Sequence, residues 1–134
     1  MAEQPGPKVL GVAPFLIVDD VKQSAEWYRD ILGFGFERLW GEPPSFAMVR
    51  RGAVTLMLKQ LCEPGKARPN VKADPEACWD AYVWVKEADA LLAEFKAKGV
   101  TVVREIENTY YGCRDFDIRD LNGYILCFGQ DLEG

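Results

Sequence analysis

One order of elements occurs twice along this chain, and that repetition limits its folds more than any other feature. In the first half, residues 10–18 are apolar enough for a strand, with Pro14 marking a place where no ladder N–H is donated. Asp19 and Asp20 follow as helix-capping carboxylates. Val21, Ala25, Tyr28, Ile31 and Leu32 then fall on one helical face that Gly33 ends. Strand patterns follow at residues 34–40, 45–50 and 53–60, so the order is β-α-β-β-β. The second half restarts with a strand at residues 78–85. A helix at 86–98, with Ala88, Leu91, Leu92 and Phe95 on one face, stops at Gly99. A strand at 100–105 leads into a hairpin at 110–129, whose Asp120, Leu121, Asn122 and Gly123 are turn residues. The order is again β-α-β-β-β.

The halves also pair position by position. Val18 matches Val85, Asp20 matches Glu87, Tyr28 matches Phe95 and Gly33 matches Gly99. Phe46 and Met48 are expected to match Phe116 and Ile118, and Leu56 and Leu58 to match Leu126 and Phe128. The expectation is an α+β fold of two tandem βαβββ modules forming curved mixed sheets. Residues 1–134 form one domain, with modules at 9–60 and 78–130 joined by a Pro- and Gly-containing linker at 61–77. One helix covers one face of each sheet, which leaves a concave face for a ligand. The two halves close a pocket either within one chain or between two.

Composition excludes several functions. The net charge of −5 argues against nucleic acid, which needs clustered Lys and Arg. No apolar run reaches membrane-spanning length and residues 1–7 lack a signal-peptide core, so a cytoplasmic protein is expected. The four cysteines form no C-x-x-C pair and read as free thiols. The chain has no histidine, hence no imidazole base and no imidazole metal ligand.

Two stretches carry a resemblance. Residues 15–21 followed by Glu26, Trp27, Tyr28, Arg29, Asp30, Ile31, Leu32, Gly33 and Phe34 resemble the N-terminal signature of the glyoxalase/bleomycin-resistance/extradiol-dioxygenase (vicinal oxygen chelate) superfamily. Tyr111 and Gly112 through Phe116, then Asp120, Leu121, Asn122 and Gly123, are similar to its C-terminal signature. The resemblance implies a metal on the concave face of enzymatic members, at positions held here by Ala13, Met57, Asp80 and Cys127. Two of these have no hard donor, so no metal or other cofactor is expected. The implied function follows the bleomycin-resistance branch: a homodimer that sequesters an aromatic or cationic, antibiotic-like small molecule in a pocket at the interface between subunits, without metal or turnover. The alternative is a lyase or isomerase of the same superfamily with an atypical or absent metal site.

Strand parity assigns the ligand-facing residues. They are Phe15 and Met57 in the first module, and Asp80, Tyr82, Trp84, Asp117, Arg119 and Cys127 in the second. Tyr111 stands at the mouth, where bleomycin-binding relatives use an aromatic. Asp117 and Arg119 are expected to pair with each other, Trp27 to serve the core or a subunit contact, and Trp40 to rim a pocket or do nothing. Cys127, without a basic partner, reads as an inert thiol rather than a nucleophile, and no catalytic residue is assigned.

Overall fold

The structure is a computed structural model that describes residues 6–63 and 65–133. In the first module, strand β1 (Phe15–Val18) leads to helix α1 (Val21–Trp27), which runs on as a π-helical turn (Tyr28–Leu32). Strands β2 (Leu39–Trp40), β3 (Phe46–Arg51) and β4 (Val54–Gln60) follow. Helix α2 (Asn70–Ala73) lies in the connection. The second module holds β5 (Ala81–Trp84), α3 (Ala88–Ala97), β6 (Thr101–Asn108), β7 (Cys113–Arg119) and β8 (Ile125–Asp131). The sheet orders are β1-β4-β3-β2 and β5-β8-β7-β6, the same topology twice, each with one parallel pair. Two four-stranded mixed sheets with few helices make this an α+β fold of two βαβββ modules.

Local chemistry explains the element ends. β1 begins only after Pro14, whose carbonyl still accepts from Met57 N at 2.9 Å. Asp20 caps α1 by accepting from Gln23 N at 2.8 Å. Gly33 takes φ of +75°, with the Arg51 guanidinium 2.9 Å from where a Cβ would stand. Conformation disfavours a side chain there, and one would also have to displace the Arg51 guanidinium. The last strand of each module also clasps its own helix. Gln60 Oε1 accepts from Val21 N at 2.8 Å, and Gln130 Oε1 accepts from Ala88 N at 3.1 Å.

The core lies between helices and sheets. Leu16, Val18, Leu56 and Leu58 are buried in the first module, and Phe116, Ile118, Leu126 and Phe128 in the second. Phe95 of α3 meets Phe128 edge-on at 5.2 Å and Phe116 at 6.2 Å. One expected pairing is corrected. Ala47 and Val49, not Phe46 and Met48, face the core, because they oppose Leu58 and Leu56 in the ladder. Phe46 and Met48 therefore stand on the outer face, since a slip of one residue reverses every side chain of a strand. Trp27 packs against the core.

The turn at residues 120–123 joins the modules. Asp120 Oδ1 accepts from Asn122 N at 2.8 Å and Tyr124 N at 2.9 Å, which shapes the turn. Its Oδ2 accepts from the buried Tyr28 hydroxyl of the first module at 2.5 Å. Asn122 donates to Ser24 Oγ at 3.0 Å and accepts from Asp19 N at 3.0 Å. Tyr124 donates to Ile17 O at 2.6 Å and accepts from Arg68 N at 3.2 Å. Across the other end, Arg51 Nη1 and Nη2 reach Glu94 at 2.6 and 3.0 Å. The connection is docked as well: Ala67 is buried, and Asp80 accepts from Asn70 N.

Burial pushes the Asp120 carboxyl up to about 6, against the donation from Tyr28 that pulls it down. A carboxyl raised on folding stabilises the fold below its unfolded value and loses that contribution as pH rises through the folded one. Asp120 therefore removes up to about 3 kcal/mol of stability between pH 4 and pH 6. Chemical denaturation across this window is expected to show that decline in the parent chain and a flatter profile in Asp120→Asn. Equal slopes in both would show that Asp120 is not its source.

Candidate functional site

The outer face of the second sheet gathers most of the sequence-assigned residues. Tyr82 and Trp84 alternate with the core residues Ala81 and Val83, so their rings stand on this face. Tyr82 is 4.7 Å from Trp84 and 5.2 Å from Trp79, centroid to centroid. Trp84 is 61% exposed, so this aromatic ledge is open to solvent. Tyr82 lies directly over Gly129, where a Cβ would stand 1.8 Å from its hydroxyl oxygen. Only glycine admits the ring in that position.

Beside the ledge is a buried charge cluster. Asp115 is fully buried and Asp117 nearly so. Tyr82 donates to Asp115 Oδ2 at 2.9 Å and Tyr111 donates to the same oxygen at 2.5 Å, while Arg104 Nη2 donates to Asp115 Oδ1. Arg104 also donates to Asp117 Oδ2 from Nε at 3.0 Å and to its Oδ1 from Nη2 at 3.1 Å. The same Nη2 is 3.8 Å from Cys127 Sγ, and Nη1 is 3.6 Å from Glu107. Burial alone would raise the Asp115 carboxyl, but the donors Tyr111, Arg104 and Tyr82 hold it below its ordinary value. Burial and the Asp115 partner push both Tyr82 and Tyr111 hydroxyls up, so they remain donors. Arg104 is raised, chiefly by its bond to Asp117, and stays charged. Burial and Asp117 push the Cys127 thiol up, which leaves it a poor nucleophile.

Arg104 reaches this cluster through irregular pairing. Val102 opposes Ile118 on the core side, whereas Arg104 opposes Asp117, with a register shift between them and another before Glu107. Such a bulge re-aims a side chain beside a site. The expected pairing of Asp117 with Arg119 is therefore corrected: the partner of Asp117 is Arg104, and Arg119 is exposed at the end of β7. Asp80 stands at the start of β5 and accepts from Asn70 N at 2.7 Å and Ile125 N at 2.8 Å, one on each oxygen. Sequence reasoning missed Arg104, Asp115 and Trp79. Parity alone places Asp115 on the face of Asp117, but no pattern announces the bulge that delivers Arg104.

The two first-module residues, Phe15 and Met57, are neighbours in the ladder on the outer face of the first sheet. Phe15 stacks on Phe46 at 6.3 Å. They are not part of the Arg104 cluster.

The four positions that the resemblance matches to a metal site do not form a ligand set here. Ala13 has no donor and Met57 only a soft thioether. Asp80 has both oxygens engaged by backbone N–H groups, and the Cys127 proton is held tightly. Among the described residues, no group of three or more His, Cys, Asp or Glu is placed to hold a metal.

The model of the Glyoxalase/Bleomycin resistance protein/Dioxygenase superfamily matches residues 11–128. Among solved structures, the chain resembles the bleomycin-binding protein from bleomycin-producing Streptomyces verticillus in complex with copper(II)-bleomycin. Identity is 26% and the TM-score 0.68, over 92% of this chain and 97% of that one. TioX from Micromonospora sp. ML1 is 21% identical with a TM-score of 0.68, over 91% of this chain and 100% of that one. Lactoylglutathione lyase from Agrobacterium tumefaciens is 20% identical with a TM-score of 0.69, over 96% and 98%. No curated protein sequence matches the chain. Among the described residues, no helix is long and apolar enough to cross a membrane.

The contact between Tyr82 and Gly129 generates a test. Gly129→Ala is expected to fold but to swing Tyr82 off Asp115, at a cost of about 1 kcal/mol for the lost hydrogen bond. Near-UV circular dichroism reads the change in the Trp79, Tyr82 and Trp84 packing. An unchanged spectrum and midpoint would place Tyr82 elsewhere.

Proposed function

This chain belongs to the Glyoxalase/Bleomycin resistance protein/Dioxygenase superfamily, and we propose that it is a small-molecule-binding protein that sequesters an aromatic, cationic compound without chemical turnover. The observation that carries this reading is the open ledge of Trp79, Tyr82 and Trp84 set against Asp115 and Asp117. Two carboxylates against one Arg104 guanidinium leave the cluster one negative charge, and Glu107 adds another at its edge. A planar cation gains ring-face attraction from the ledge and Coulomb attraction from the acids. The tightly held Cys127 proton and the fully engaged Asp115 offer neither a nucleophile nor a free base. Likeness to a bleomycin-binding protein supports binding as the role, and the absence of a fitting donor set at the family's metal positions supports metal independence.

The working unit of this proposal is a homodimer. Val9, Leu10 and Val12 of the N-terminal segment are almost fully exposed, and a second copy would cover them. The free thiols of Cys62 and Cys78 at the surface support a reducing, cytoplasmic setting.

Titration with 1-methylquinolinium is expected to raise the melting temperature equally with and without EDTA, and Trp84→Leu is expected to weaken its binding about tenfold. Absence of any shift, or a shift that EDTA abolishes, would remove the reading. Sedimentation is expected to show a dimer that Val12→Asp weakens; a monomer at high concentration would remove the dimeric unit.

A further inference from the structure

The two ends of the seam between the modules are filled differently. The ladders of the modules correspond rung by rung. Ala47 opposes Leu58 and Val49 opposes Leu56, as Phe116 opposes Phe128 and Ile118 opposes Leu126. One rung further, Arg51 opposes Val54, while Asp120 N donates to Tyr124 O at 2.8 Å. Val54 therefore stands where the second module has Tyr124. The Tyr124 ring is buried, and its hydroxyl donates to Ile17 O at 2.6 Å. Valine is too short to fill the matching space, and a cavity of about 240 Å³ remains there. Phe34, Val54, Val83, Leu91, Phe95 and Phe128 line it, beside the Arg51–Glu94 pair. These side chains belong to the core or pack against it, so the cavity opens into the helix-covered side of the sheets and not onto their outer faces. Trp84 borders it at the edge strand β5.

We propose that this cavity binds a small neutral phenol, whose ring and hydroxyl take the part that Tyr124 plays at the opposite end of the seam. An apolar cavity of about 150 Å³ already admits a benzene ring, so this one has room for a substituted ring. Burial of that ring against Leu91, Phe95 and Phe128 drives association. The hydroxyl has a matching acceptor. Ile17 opposes Lys59 across its parallel ladder, and Trp84 opposes Gly129, so Trp84 O corresponds to Ile17 O. Val85 N donates into the ladder, to Gly129 O at 2.8 Å, so the alternate residue Trp84 turns its carbonyl off the sheet edge. A charged head group gains little here, because Arg51 and Glu94 at the mouth neutralise each other. The site lies apart from the acidic cluster of the second sheet and does not depend on the cation reading given above.

Calorimetry on the full chain with p-cresol, 4-methylanisole and toluene separates the ring from the hydroxyl. p-Cresol is expected to bind tightest. 4-Methylanisole, whose oxygen has no proton to donate, and toluene are expected to bind about tenfold more weakly, the size of one hydrogen bond. Val54→Tyr supplies the phenol from the chain itself. It is expected to raise the melting temperature and to weaken p-cresol more than tenfold. Leu91→Phe narrows the same space from α3, on a half-buried position, and is expected to weaken p-cresol as well, so the result does not hang on one variant folding. Tyr82→Leu, on the ledge, is expected to leave p-cresol binding unchanged. Equal affinity for p-cresol and toluene would overturn the proposal, as would either cavity-filling variant if it folds and binds p-cresol as the parent does. Loss of p-cresol binding in a folded Tyr82→Leu would overturn it too, by placing the ring on the ledge.

Discussion

The buried hydrogen bond from Tyr28 to Asp120 holds the architecture in register. It links the helix of one module to the turn of the other, residues 92 apart in sequence. Around it, Asn122 holds the start of α1 and Tyr124 holds the β1 backbone. A polar group in such a place is costly unless fully satisfied, and here every partner is supplied. Among the described residues, no buried side-chain nitrogen or oxygen lacks a partner. With the turn fixed, the helix-covered faces of both sheets share one core and the other two faces remain available.

Those two faces have diverged in chemistry while their frames have not. The second carries carboxylates gripped by Arg104 and bordered by aromatic rings; the first carries arginines over a Trp and Met floor. Arg104 offsets one of the two like charges that Asp115 and Asp117 bring together in a low-polarity setting. It thereby sets how much negative potential the ledge shows to an approaching molecule.

Much of the frame was legible in the sequence. The helix faces of Val21, Ala25 and Tyr28 and of Leu92 and Phe95, the stops at Gly33 and Gly99, and the inward positions Leu56, Leu58, Phe116 and Ile118 all follow from periodicity and capping. The misplacement of Phe46 and Met48 shows the weakness of that method. In an apolar strand without clean alternation, either parity looks plausible until a partner strand fixes the register. The site was less legible because its key contacts are non-local. Arg104 arrives by a bulge, Trp79 by ring packing with Tyr82, and the two bonds of Asp80 depend on where α2 and β8 settle.

The paired glutamines, Gln60 and Gln130, have a consequence beyond local order. Each lets the end of a module secure its own helix start, so the closing contact of each module lies within that module. A duplicated unit closed in this way can accumulate surface changes on one copy without disturbing the other. The two outer faces can then differ in chemistry while each module keeps its own closing contact.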